Sequence, residues 1–158
     1  MDTINGLPLH PLLVHVVVVI LPLAASCAVL GVLWPAARRK LGVITPILAL
    51  LALVFVPLTT SAGESLEKMT PPDALVERHA ELGDQALIWA APLFVFAFLW
   101  WALHTGWVEA KLADLDTRAR TGATVVTAVV LVIFAVGSVV TVYRIGESGA
   151  QAVWHSSS

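Results

Sequence analysis

Four stretches of this chain, Leu12–Trp34, Leu41–Thr60, Ala86–Trp107 and Thr121–Tyr143, contain no Asp, Glu, Lys or Arg. Each matches the ~20 apolar residues that a helix needs to cross the hydrocarbon layer of a bilayer. A backbone in lipid must satisfy its own hydrogen bonds, so such segments are helices. The fourth is rich in Val and Thr, but it runs far beyond strand length without a turn signal. The expectation is an all-α integral membrane protein, one four-helix bundle over residues 1–158, in contact with the lipid bilayer. Composition agrees: only 13% of residues are charged, about half the usual share of a soluble domain. A net charge of −2 gives no footprint for nucleic acid. The single Cys27 excludes an internal disulfide framework.

The start of the chain lacks the basic region of a secretory signal, since Asp2 is the only charge before Arg38. The first apolar run therefore reads as a helix of the mature protein. Orientation follows from the connections. Arg38-Arg39-Lys40 closes the first hairpin and Lys111–Arg120 the second, and together they hold six of the nine Lys and Arg. The excess of positive charge on cytoplasmic loops places both there. Both termini and the 61–85 connection then lie on the extracytoplasmic side, with eight of the eleven acids. Of the five histidines, His10, His15, His79 and His155 fall on that side, and His104 alone falls on the other. Trp34, Trp100, Trp101 and Trp107 gather at the cytoplasmic boundary, as an aromatic belt does.

Helices in lipid associate through close packing of small residues. The first span has such a stripe in Val17, Leu21, Ala24, Ala28 and Gly31, and continued toward its start the stripe passes Val14 and reaches His10. The third reads Ala97, Leu93, Ala90, Ala86 and Leu82, and ends at His79. The fourth offers Thr121, Thr124, Ala128, Leu131, Ala135 and Ser138. At about 100° per residue His15 lies roughly 140° from His10, on a different face. Between the second and third spans, Thr70-Pro-Pro-Asp73 is a stop followed by an N-cap. A helix from Ala74 is expected to run unbroken into the third span, carrying His79 about 10 Å beyond the apolar boundary. Gly63-Glu64-Ser65 after the second span and Gly146-Glu147-Ser148 after the fourth hint at two parallel hairpin repeats about an axis along the membrane normal.

Taken together, "LPLHPLLVH", "SAGESLE", "ERHAELGDQ" and "RIGESGAQAVW" resemble the DUF2231 family of bacterial membrane proteins. The resemblance runs from Leu7 to Trp154. It implies a multi-pass, four-helix protein of the bacterial inner (plasma) membrane, with a suspected kinship to b-type cytochromes and no settled activity.

The chemistry that these residues suggest is a polar site at the extracytoplasmic end of the bundle. His10, His15 and His79 are the candidate cofactor ligands, and Glu64 and Glu147 the candidate metal-binding carboxylates. Neutral imidazole suits haem b or a transition metal, and carboxylate suits a harder ion. If His15 is buried it needs a partner, which Glu64 or His79 would supply. Two readings stay open. One is a redox protein holding haem or a metal. The other is a non-catalytic accessory or scaffold subunit, or a homo-oligomer, whose small-residue faces bind a membrane-protein partner. A transporter is disfavoured, because only Ser26, Cys27 and Thr127 bring polarity near mid-membrane.

Overall fold

The computed structural model describes residues 3–4, 7–114 and 116–155. It is helical apart from a two-residue antiparallel ladder between β1 (Thr3–Ile4) and β2 (Leu7–Pro8). α1 (Leu9–Leu33) and α3 (Ile44–Glu67) form the first hairpin, joined by the short α2 (Pro35–Leu41). α4 (Ala74–Asp84) and α5 (Ala86–Leu103) lead through α6 (Gly106–Lys111) into α7 (Thr117–His155). α1, α3, the α4–α5 run and α7 are each long and apolar enough to cross a membrane.

Local chemistry accounts for the ends. Asp73 caps α4 by accepting a 2.7 Å hydrogen bond from the Leu75 backbone N–H, as an N-terminal carboxylate should. Pro35 opens α2, where its missing N–H costs nothing. Gly42 closes α2 at φ +43°, a conformation open to glycine and strained for other residues. The helix from Ala74 is not continuous into the third span. It breaks for one residue at Gln85, where the Ile88 N–H reaches back to the Gln85 carbonyl in a tight turn.

α1 and α5 stand on one diagonal of the bundle, each packed between α3 and α7. The centre is built from small residues: Ala24, Ala28, Ala49, Ala52, Ala90, Ala97 and Ala135 are at most 1% exposed. The large aliphatic side chains point outward, Val19, Ile88, Val126 and Ile133 among them. That inversion is expected where lipid, not water, is the outer solvent and close helix contact is the source of adhesion.

Burial exposes a repeat. All five buried positions of α5 (86, 90, 93, 97, 100) correspond to buried positions of α1 (17, 21, 24, 28, 31) at a constant offset of 69; Ala25 and Cys27 are buried in α1 alone. Four of the seven buried positions of α3 (45, 49, 52, 62) fall on buried positions of α7 (131, 135, 138, 148) at an offset of 86, and the other three fall on half-buried ones. The stripes expected for the first and third spans are therefore the buried ones. In α7 the interior face instead begins at Thr127, because Thr121 is exposed and Thr124 only half-buried. The Gly-Glu-Ser echo is out of register by three residues: the offset of 86 pairs Gly63 with Gly149, and Gly146 faces open space.

Candidate functional site

The first turn of α1 and the middle of α4 bring His10 and His79 together at one end of the bundle. Their ring centres are 6.2 Å apart and their planes are 83° apart. Both side chains are half-buried. Each is tied to the other helix of its own hairpin. His10 Nδ1 lies 2.9 Å from the Thr59 carbonyl oxygen on α3. A carbonyl only accepts, so Nδ1 carries the proton and, in the neutral ring, Nε2 keeps its lone pair.

His79 reaches the same state by a longer route. Its Nδ1 is 3.0 Å from Ser148 Oγ on α7. That hydroxyl already donates its one proton to the Ile145 carbonyl at 2.9 Å, so toward the imidazole it can only accept. Ile145 is the repeat equivalent of Thr59, and Ser148 that of Ala62. In the second hairpin a hydroxyl thus joins the equivalent carbonyl, which the imidazole also reaches, as a second partner of the ring.

Two glycines make these approaches feasible. A Cβ on Gly63 would lie 2.9 Å from His10 Cε1, and one on Gly149 would lie 3.0 Å from His79 Cε1. In both halves the Nδ1–Cε1 edge of the ring is pressed against a glycine one helical turn beyond the equivalent carbonyl. The same four-residue spacing, Thr59 to Gly63 and Ile145 to Gly149, recurs in both hairpins.

The other residues singled out by sequence are not part of this pair. His15 is exposed, and its Nδ1 bonds the Pro11 carbonyl of its own helix rather than Glu64 or His79. Glu64 is exposed, and so is Glu147, whose carboxylate accepts from Gln151 Nε2 at 3.5 Å. Among the described residues no group of three or more His, Cys, Asp or Glu is placed to hold a metal ion. Sequence reasoning missed Thr59, Ser148 and Gly149. The buried periodicity of α7, aligned on that of α3, was the signal that identifies them.

At the opposite end, His104 Nδ1 bonds the Trp100 carbonyl at 2.7 Å and its ring lies 4.3 Å from the indole. Trp100 is not a belt residue facing lipid. It is 7% exposed and fills the bundle interior over Gly31. Trp34 and Trp107 are exposed, as an interfacial belt requires.

A bundle of four apolar helices with small residues inside and large ones outside defines a membrane protein. The family model described as "Predicted membrane protein (DUF2231)" matches residues 6–157, and the chain belongs to that family. No curated protein and no solved structure matches it.

Proposed function

We propose that His10 and His79 would hold one haem b between them, and that the protein is a redox component at the extracytoplasmic face of a bacterial plasma membrane. The observation that carries this reading is the separation of the rings. A metal–imidazole bond is about 2.1 Å, so rings this close could both reach one metal atom. The pair stands at 6.2 Å.

The donor set points the same way. Two imidazoles without a carboxylate complete no closed site for a divalent ion, which takes four or more ligands. They do complete an iron that already has four porphyrin nitrogens. When bound, haem supplies one-electron exchange. The chain's part is to hold the two rings. The Thr59 carbonyl and Ser148 hydroxyl fix the proton on Nδ1 and leave Nε2 free, the arrangement that outer hydrogen bonds give to metal-binding histidines. Gly63 and Gly149 set the depth of each ring against its helix. The placement of Arg38–Lys40 and Lys111–Arg120 at the far end supports an extracytoplasmic site.

A second reading has its own support. Each imidazole also ties two helices of one hairpin, α1 to α3 and α4 to α7, which is what a structural clasp in a colourless accessory subunit does. Absorption spectra separate the two. Protein expressed with ample haem and purified in mild detergent is expected to show a Soret band that shifts, with sharpened visible bands, on dithionite reduction. His10→Ala and His79→Ala are each expected to abolish it. A featureless wild-type spectrum would reject the haem reading and leave the clasp.

A further inference from the structure

The far end of the bundle holds a cavity of about 420 Å³ that the histidine pair does not explain. Its volume is within the ~300–1,000 Å³ range of ligand sites. Trp100 lines it, and Trp100 Nε1 is buried without a hydrogen-bond partner. Such orphaned buried donors are rare and call for a specific explanation. The indole nitrogen stands over Gly31, where an added Cβ would come within 3.8 Å of it. Gly31 lines the cavity too.

The charge of the lining is one-sided. Arg38 and Arg39 are among the lining residues, and no carboxylate is. The Arg38 guanidinium is held 5.6 Å from the Trp100 ring centroid, a cation–π contact that orders it beside the orphan donor. Leu41 and Ala97 give the same cavity apolar walls.

We propose that this cavity binds the phosphate group of an anionic phospholipid. A phosphate has the acceptor lone pairs that the Trp100 N–H lacks, and it matches the forked donors of arginine. The apolar walls beside the cationic lining suit an amphiphile, and the position near the end of the spans suits a headgroup. Basic pockets between transmembrane helices take anionic headgroups for the same reasons. A free phosphate compound offers the same anion without the chains.

The test uses the full chain in mild detergent, stripped of lipid by washing and examined by native mass spectrometry. Phosphatidylglycerol and phosphatidylcholine with matched acyl chains are added in turn. The wild type is expected to retain one phosphatidylglycerol, preferred about tenfold over phosphatidylcholine. Trp100→Phe and Arg38→Gln are each expected to lower that occupancy about tenfold. Arg118→Gln, outside the cavity, is expected to leave it unchanged. Equal retention of the two lipids by the wild type would overturn the proposal without recourse to any variant. So would unchanged occupancy in both cavity variants. Millimolar inorganic phosphate is expected not to displace the lipid; displacement would overturn the lipid assignment and make a soluble phosphate compound the occupant.

Discussion

The two ends of this bundle are made by the same four helices and behave differently. At the histidine end the two halves do the same thing: an imidazole from one helix lies on a glycine of the next, with its Nδ1 proton held and Nε2 free. At the basic end the halves diverge. The offset of 69 pairs Gly31 with Trp100, the smallest side chain with the largest, and the large one fills the space that the small one leaves. The lesson is that repeated hairpins keep their symmetry where two equal groups must meet across the diagonal. They lose it where one side chain fills a hole and one cavity forms.

The sharpest way to break the comparison is at the histidines. His10→Ala and His79→Ala should have the same effect, complete loss of the haem spectrum, since removal of either ligand undoes the site. Unequal loss would show that the halves are not equivalent there. Next in size are Gly63→Ala and Gly149→Ala. Each puts a methyl about 3 Å from an imidazole carbon, and overpacking of this kind costs about 1–3 kcal/mol. Thermal unfolding in detergent is expected to show similar drops for both, with weakened absorption.

Ser148→Ala comes third. It makes the second half resemble the first, where Ala62 occupies the equivalent position. The His79 ring is then expected to rely on the Ile145 carbonyl alone, which it already reaches. Haem should be retained, with affinity lowered by about tenfold, the lower end of the usual outer-ligand effect. Complete loss of haem would show that the hydroxyl, not the carbonyl behind it, holds the ring. The smallest effect expected is from Gly146→Ala. Its Cβ meets nothing within 4 Å, so the gain in helix propensity should stabilise by about 0.5–1 kcal/mol. Destabilisation equal to that of Gly149→Ala would return the repeat to the Gly-Glu-Ser register.

How far the sequence could be read depended on whether a feature belongs to one helix or to two. The stripe from Ala97 to His79 was legible because it lies on one face of one helix run, at helical spacing. The face of α7 is legible from Ala128 to Ser138, and only its start at Thr121 lies beyond the packed part of the bundle. The Gly-Glu-Ser tripeptides match as text, yet a three-residue shift turns a helix by about 60°. That shift is enough to exchange an inward glycine for an outward one. Trp100 looked like one belt aromatic among four, since nothing within its own helix announces that Gly31 stands opposite. His15 was expected to need a partner at depth, and the Pro11 carbonyl of its own first turn meets that need.

The constant offsets have an evolutionary reading. The offset grows from 69 to 86 between the first and second helix pairs, so the second hairpin carries 17 more residues in its connection, where α6 lies. Otherwise one hairpin holds all that half of the histidine end requires: one imidazole, one carbonyl and one glycine. A gene of half this length, whose product paired with itself about a two-fold axis, would already have built that end twice over, and two-fold dimers are the commonest closed assembly. Fusion through the short 68–73 segment would then have added a tether rather than a fold, raising the local concentration of one half about the other. It would also have freed the two copies to diverge at the opposite end, where Gly31 and Trp100 now differ. A chain severed within 68–73 and co-expressed as two hairpins is expected to reassemble one to one.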